Sequence, residues 1–384
     1  MLPPGDGVQR LIGRPCILVL DEGFMSGAHA ALGLARAGCQ VTVLAGTGGR
    51  GGHVGRNIRW SLAPEVGTAA FLQAVNVSLA APFDYVYPMT ETIQELLWCT
   101  DGRWSGNVYP PTEPWQRDLL RHKQRLAEYV ARRGVAIPTQ ESVTPDDDLE
   151  AAARRLGMPL VVKGVRGRGG VATRIASSIA DVVKAVRATT RTGVECFLQQ
   201  YVSGPTYLVG GLFRAGDPIR IYAGRKLEQH PRTTGPATMM RSVHEPSLLE
   251  PALAVFRELR VSGLASVDFI ATEDGPPRYL FLELNPRPWG SITAAADAGV
   301  DLFTPLAEML AGAAPAVDLA YRVGVDSTVF PLYLLSRVRW RMGRAIGNAV
   351  HDLRGVQGTP WRSAGQAAHL LHRLYRVGRN WPRA

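Results

Sequence analysis

A chain of 384 residues with 46% hydrophobic residues is too long for one ordinary core and predicts two or three packed units of a globular protein. Cys16, Cys39, Cys99 and Cys196 lie far apart with no CxxC pair and no His at ligand spacing, which indicates neither a zinc site nor a disulfide framework and fits a reducing cytoplasm. The start, "MLPPGDGVQRLIGRPCILVLDEG", has no long apolar h-region and no apolar run approaches a membrane span, so no targeting segment is expected. The net charge of +10 gathers toward the C-terminal end.

From residue 16 onward, short apolar runs alternate with Ala-rich helical patterns. "CILVL" (16–20) is followed by "AHAALGLARAG", then "QVTVLAG" (40–46), and "FDYVYPM" (83–89) leads into "TETIQELLW". This order predicts a parallel sheet covered by helices. Gly23 and Gly27 invite a dinucleotide reading, but their spacing is not GxGxxG, and the second strand ends at Gly46 where an acid would hold a ribose. They are read as close-packing turn residues in a structural, substrate-facing unit.

Clustered prolines in "NVYPPTEPW" (107–115) mark a linker. "QRDLLRHKQRLAEYVARRG" then reads as one helix, with Leu119, Leu120, Leu126, Tyr129 and Val130 at helical spacing and Gly134 as its stop. Lys123, on this helix, reads by itself as a solvent lysine. "MPLVVKGVRGRGGVATRIASS" (158–178) predicts a strand delivering Lys163 into a loop with Gly164, Gly167, Gly169 and Gly170, and then a second strand. Glycines let backbone N–H groups approach an anion, and lysine is a mobile point charge suited to phosphate. No GxxxxGK[ST] is present and the loop joins strand to strand, so it is closer to a glycine-rich hairpin over a nucleotide than to a P-loop. An ordinary flexible hairpin would read the same way.

"CFLQQYVSGPTYLVGGLF" (196–213) predicts strand, hinge and strand, with Gln200 and Tyr201 at the crossover able to set backbone groups against a base. "RIYAGRKLEQHPRTTGPATMMRSV" (220–243) predicts a strand followed by a polar loop, His230 to Arg241, that includes Arg232. "PSLLEPALAVFRELRVSG" predicts a helix, and "LASVDFIATEDGPPRYLFLELNP" a β-hairpin turning at Asp274-Gly275. In "FLELNPRPWGS" (281–291), Glu283, Asn285 and Arg287 share one face of an extended strand while Leu280, Leu282 and Leu284 take the other. Asp268 on the partner strand would bring three hard oxygen ligands to one point, the donor set magnesium prefers. Arg287 would meet a phosphoryl oxygen, and the start of "GSITAAADAG" would add helix N-terminal N–H donors. A lone Glu-x-Asn would read as incidental surface polarity; four signals in the order one site needs do not.

Lys163 in "VVKGVRGRGGV", the hinge "LQQYVSG", "VDFI" and "LELNPRPWGSITAAADAGVDLF" together resemble the ATP-grasp superfamily, nearest its carbamoyl-phosphate-synthetase-like and carboxylate–amine ligase branch. The resemblance covers roughly residues 110 to 315. It implies an N-terminal parallel α/β domain (1–113) and a two-lobed ATP-grasp domain (114–315, small lobe about 155–203); the remainder (316–384) is expected, from its own composition, to be a basic helical C-terminal extension. It also implies ATP with two magnesium ions, manganese serving as a substitute, and an ADP-forming reaction in which a carboxylate becomes an acyl phosphate that an amine displaces. Carried over by position, Lys123 and Lys163 would contact phosphates beside Gly169 and Gly170, and Gln200, Tyr201 and Val202 would lie at the adenine hinge. Asp268, Glu283 and Asn285 would hold metal, Arg287 would stabilise the transferred phosphoryl group, and His230, Arg232 and Arg241 would belong to the loop over the acyl phosphate. Three positions depart from the pattern: His122 stands where Asp is usual, Gln200 where the hinge carries Glu, and Thr206 at a later acidic position.

The function implied is an ATP-dependent carboxylate–amine ligase, cytoplasmic, in specialised-metabolite or cell-surface biosynthesis, since the chain lacks the extra domains of the large carboxylases. Its partners would be a small-molecule carboxylate and amine, with a homodimer as the default assembly. The alternatives are a phosphotransferase, or a low-turnover regulatory protein that recruits through its tail. From Arg337 onward there are ten Arg and one acid, Asp352, so that stretch carries +9 and the body +1. With Trp340, Trp361, Leu370, Leu371, Leu374 and Tyr375 interleaved, this is a basic amphipathic surface suited to an acidic carrier protein or a membrane surface, or else an Arg-rich face packed on the body. Nucleic acid is disfavoured because no recognised binding module accompanies the charge.

Overall fold

The computed structural model describes residues 13–22, 25–45, 52–53, 58–79, 82–99, 108–166, 173–230, 235–273, 275–329 and 333. The basic stretch from Arg337 therefore lies outside the described residues. The first part of the chain forms β1 (Cys16–Asp21), α1 (Met25–Arg36), β2 (Gln40–Ala45), β3 (Gly52–His53), β4 (Ile58–Leu62), α2 (Ala69–Ser78), β5 (Tyr85–Pro88) and α3 (Glu91–Cys99). The sheet order is β3-β4-β2-β1-β5, parallel from β4 to β5, with β3 antiparallel at the edge. Side chains of β1 alternate between two cores: Ile17 and Val19 pack with α1, while Leu18 and Leu20 pack with Phe71 and Val75 of α2 and Ile93 and Leu97 of α3. The helices thus change face between β1 and β5, the switch point of the parallel sheet.

α4 (Pro114–Leu120) and α5 (Lys123–Ala131) follow. The sequence pattern predicts one helix here, and the structure has two. The apolar spacing runs on across the break, but His122 leaves the helical region (φ −134, ψ 95) and its Nδ1 accepts the Arg125 N–H at 3.3 Å, capping α5. The Lys123 N–H donates to Val165 O at 2.9 Å and ties this cap to the strand that carries Lys163. Gly134 (φ +88) marks the turn after α5, as its position predicts.

A four-stranded antiparallel sheet comes next, built from β6 (Gln140–Val143), β7 (Leu160–Gly164), β8 (Thr173–Ala176) and β9 (Cys196–Gln200) in the order β6-β9-β7-β8. α6 (Leu149–Leu156) and α7 (Ile179–Thr190) cover one face through Leu149, Ala152, Ala153, Val182, Ala185 and Val186. The chain then passes through a hinge into β10 (Thr206–Arg214), β11 (Asp217–Gln229), β12 (Ala237–Ser242), α8 (Pro246–Glu258), β13 (Gly263–Ala271), β14 (Tyr279–Asn285), α9 (Thr293–Asp297), α10 (Phe303–Leu310) and β15 (Asp326–Thr328). These strands form a six-stranded antiparallel sheet ordered β14-β13-β10-β11-β12-β15. Gly204 in the hinge sits at φ +156, where an added Cβ would collide with Ala271 O, so the crossover needs a residue without one.

Both faces of the large sheet are covered. Tyr207, Val209, Ile221, Val267 and Phe269 pack under α5 and α8, while Leu208, Leu212, Tyr222 and Leu264 pack with Trp289, α9, α10 and α1. The second cluster is continuous with the core of the parallel sheet. The proline-rich segment, expected as a linker, is built into this junction: Tyr109 is 8% exposed, meets Tyr85 and Tyr87 edge to face, and faces Gly263 of β13. The polar loop after β11 is also shorter than expected, because β11 runs to Gln229 and β12 resumes at Ala237. The β13–β14 connection spans 272–278, closed by Thr272 N–H to Arg278 O at 3.0 Å, with Asp274 outside the described residues.

Candidate active site

The β13–β14 register sets Asp268 directly across from Glu283 and Ser266 across from Asn285. Strict alternation along β14 fails in one place. Asp268 pairs with Glu283 but the next residue, Phe269, pairs with Phe281, so Leu282 is the extra residue of a β-bulge. Tyr279, Phe281 and Leu284 accordingly pack into the core beneath α8, whereas Leu282 turns to the cavity with Glu283. The expected shared face of Leu280, Leu282 and Leu284 is corrected by this bulge; the convergence of Asp268, Glu283 and Asn285 is unaffected by it.

Those three side chains line a cavity of about 250 Å³ between the four-stranded and six-stranded sheets. Lys163, Gln200, Tyr201, Val202 and Arg287 line the same cavity. Lys123 adjoins it through an ion pair, Nζ to Glu283 Oε2, of 3.1 Å. Of the remaining sequence candidates, Gly169, Gly170 and Arg232 lie outside the described residues. His230 stands at the neck of the loop, its N–H donating to Pro236 O at 3.1 Å, and is not among the lining residues. Arg241 does not reach the cavity: its guanidinium forks onto Asp326 of β15 at 2.6 and 2.7 Å, because β12 pairs with β15 at the sheet edge. The helix expected to begin at Gly290-Ser291 begins at Thr293 and has five residues, so it offers little dipole. Gly290 and Ser291 themselves line the cavity.

Sequence reading missed Lys226, Gln199, Gln229, Glu91 and Trp289. Lys226 Nζ lies 3.1 Å from Asp268 Oδ2, both side chains largely buried. Glu91 Oε1, on the first turn of α3, lies 2.8 Å from Arg287 Nη2. Neither pairing leaves a trace in local spacing, since Lys226 and Asp268 lie two strands apart in the six-stranded sheet and Glu91 reaches Arg287 from a helix of the parallel-sheet unit. For Lys226 a signal existed: its position in "YAGRK" alternates with Gly224, which pairs with the cavity-lining Leu208, and with Tyr222, which packs on the same face. Trp289 is 3% exposed and its ring lies on Gly210 of β10, where an added Cβ would come within 2.8 Å of it.

Four cationic side chains, Lys123, Lys163, Lys226 and Arg287, thus face three carboxylates, Glu91, Asp268 and Glu283. Lys123 holds the Glu283 carboxyl well below the usual carboxylate range, against the opposing effect of burial. Burial, with Glu283 opposite, pushes Asp268 upward, against the pull of Lys226. Lys163 is drawn down to about 8 by desolvation, with Glu283 opposing. The electrostatic surplus is positive and the oxygen donors are concentrated at one point. That combination suits a polyanion accompanied by a divalent cation. Asp268 Oδ1 is buried without a hydrogen-bond partner among the described residues, and Asn285 supplies a neutral oxygen beside it; the donors are oxygen only, as a hard cation requires.

At the other end the cavity is lined by Pro138, Val161 and Ile175 with Gln199 through Val202, an apolar slot bounded by polar backbone. The Gln200 N–H is taken by Thr139 O at 2.8 Å and its side chain is exposed. Thr206 Oγ1 accepts from Gln229 Nε2 at 2.9 Å.

The family model for the carbamoyl-phosphate synthase L chain, ATP-binding domain, matches residues 122–314, half of the chain. The chain belongs to this family, within the ATP-grasp superfamily. A D-alanine–D-alanine ligase of Mycobacterium sp. (strain JLS) is 27% identical over 328 residues, covering 78% of this chain and 82% of that one. The N5-carboxyaminoimidazole ribonucleotide synthase of Mycobacterium tuberculosis is 28% identical over 219 residues, 54% of this chain and 48% of that one. Among solved structures, biotin carboxylase from Campylobacter jejuni superposes with a TM-score of 0.63 at 16% identity, covering 80% of this chain and 74% of that one. The L-amino acid ligase from Bacillus licheniformis gives 0.58 at 16% identity, covering 78% and 74%. These two likenesses concern the fold. The protein is an ATP-grasp enzyme with an ATP-binding domain, an ADP-forming carbon–nitrogen ligase. Among the described residues no helix of this ATP-grasp chain is long and apolar enough to cross a membrane.

Proposed function

We propose that the protein joins a small-molecule carboxylate to an amine through an acyl phosphate, and that the cavity between the two antiparallel sheets is where this happens. The observation that carries the reading is the cross-strand pair Asp268 and Glu283 with Asn285 beside it, facing Lys163, Lys226 and Arg287 across one cavity. Asp268, Glu283 and Asn285 would hold magnesium, which supplies neutralisation of the triphosphate when bound. A site with four cations and three carboxylates that takes a nucleotide of about −4 together with a carboxylate substrate of −1 is left at about −4, which two divalent ions neutralise, and this supports a pair of ions.

Lys163 and Lys123 would bind phosphate oxygens, and the slot from Gln199 to Val202 would take the base. Arg287 would orient the γ-phosphoryl group and stabilise its charge in transit, the contribution that phosphoryl transfer most requires. A carboxylate oxygen bonds to the γ-phosphorus as the bond to the bridging oxygen breaks, and ADP leaves with that electron pair. The amine nitrogen then bonds to the acyl carbon, the carbon–oxygen bond to phosphate breaks, and inorganic phosphate departs with the surplus proton taken up by phosphate or solvent.

ADP release measured against a matrix of carboxylates and amines tests this. Release should require one particular acid and amine, and Glu283→Ala should lower it about 100-fold or more, the scale on which removing one transition-state electrostatic partner acts. Protein that binds magnesium ATP but releases no ADP with any pair would overturn the ligase reading. Phosphorylated acid accumulating without amine would instead identify a phosphotransferase.

A further inference from the structure

α3 belongs to the core of the parallel sheet yet touches the phosphoryl end of the cavity. Ile93 and Leu97 anchor it in the hydrophobic cluster beneath β1 and β5. Thr90 Oγ1 accepts the Ile93 N–H at 3.3 Å and fixes the first turn. From that turn Glu91 pairs with Arg287 Nη2 at 2.8 Å, and one turn on, Gln94 Nε2 donates to Pro286 O at 3.0 Å across 192 residues of sequence.

Both contacts are enclosed: Gln94 is 3% exposed, and the Arg287 side chain 15%. The other bonds of the guanidinium, to Pro288 O at 3.2 Å and Asn285 Oδ1 at 3.5 Å, are long and local. Pro286 and Pro288 have no N–H with which to pin this stretch of backbone. The Pro286 carbonyl takes a long-range tie instead, from Gln94. An arginine on a flexible stem contributes to a transition state only if its position is set beforehand.

We propose that Glu91 and Gln94 are positioning residues that hold Arg287 against the phosphoryl group in transit, so that the parallel-sheet unit completes the phosphoryl-transfer site. The inference rests on the role assigned above to Arg287. Glu91 sets the direction of the guanidinium, and Gln94 sets the backbone from which it projects. Neither needs to touch the nucleotide.

The test is calorimetric and does not depend on the unidentified acid and amine. Magnesium ADP is titrated into the full chain with and without aluminium fluoride, a mimic of the phosphoryl group in transit. The native protein should bind the fluoride complex more tightly than ADP alone. Glu91→Gln and Gln94→Ala should each lose about 10- to 100-fold of that extra affinity, the loss expected from a displaced catalytic group, while affinity for ADP alone stays within about twofold. Arg287→Ala should lose as much, and adding Glu91→Gln to it should cost nothing further. Glu91→Asp, which keeps the charge, should recover part of the effect. Variants that tighten as the native protein does would overturn the inference, as would a Glu91→Gln effect undiminished in the Arg287→Ala background. Absence of tightening in the native protein would overturn the phosphoryl-transfer reading itself, and is a distinguishable result.

Discussion

His29 lies on α1, 9% exposed, with Nδ1 buried and without a partner among the described residues. Burial pushes its imidazole down to about 4. The folded state therefore prefers the neutral ring, and the unfolded chain binds the proton first. Stability should be undiminished above about pH 6.5 and fall as the pH drops through 6.5 toward 4, by up to about 3 kcal/mol from this residue. Urea melts from pH 4.5 to 7.5 check this: His29→Leu should flatten the acid limb relative to the native protein, and an unchanged slope would place the sensitivity elsewhere. At the same scale, the ion pairs of Lys123 with Glu283 and Lys226 with Asp268 show why sequence named the carboxylates and missed one lysine. A carboxylate announces itself by a neighbour two residues away on its own strand, whereas Lys226 is defined by a partner 42 positions further on, two strands away across the sheet.

Among elements, α5 shows how a local substitution can keep an expected structure. The resemblance places an acid at position 122, where this chain has His122, and the imidazole Nδ1 performs the capping a carboxylate would. His122→Ala should cost about 1 kcal/mol of stability, and His122→Asp should match or exceed the native protein, both read from denaturant midpoints. If alanine were neutral, the cap would not be what starts α5 beside β7. The break between α4 and α5 was illegible because the 3.6-residue pattern continues through it; only the His122 backbone and the Lys123 bond to Val165 O reveal it. The β14 bulge was illegible for a similar reason. "YLFLELN" fits a regular strand, and the extra residue exists only relative to β13.

At the scale of the molecule, the parallel sheet and the large antiparallel sheet share one hydrophobic cluster, with Tyr109 wedged between β5 and β13. The two should therefore unfold together. Tyr109→Ala should lower stability by about 3–5 kcal/mol, the range for emptying an aromatic core site. Tyr109→Phe should lie within about 1 kcal/mol of the native protein, because the hydroxyl is buried without a partner among the described residues. Calorimetric scans decide: two resolved transitions in the native protein, or a Phe variant as damaged as the Ala variant, would contradict this account.

The sequence by itself determined the alternation of strand and helix before residue 100, the succession of antiparallel strands after residue 158, and the convergence of Asp268, Glu283 and Asn285. These follow from periodicity and from chemistry carried within a few residues, which a linear string preserves. Tertiary structure alone decided that the proline-rich segment is core, that Arg241 faces Asp326 and not the cavity, that Lys226 completes the charge balance, and that α3 holds the Arg287 segment. Each of these is a contact between elements far apart in the chain. The free energy that fixes such a contact comes from burial and charge pairing that arise only once the sheets have packed.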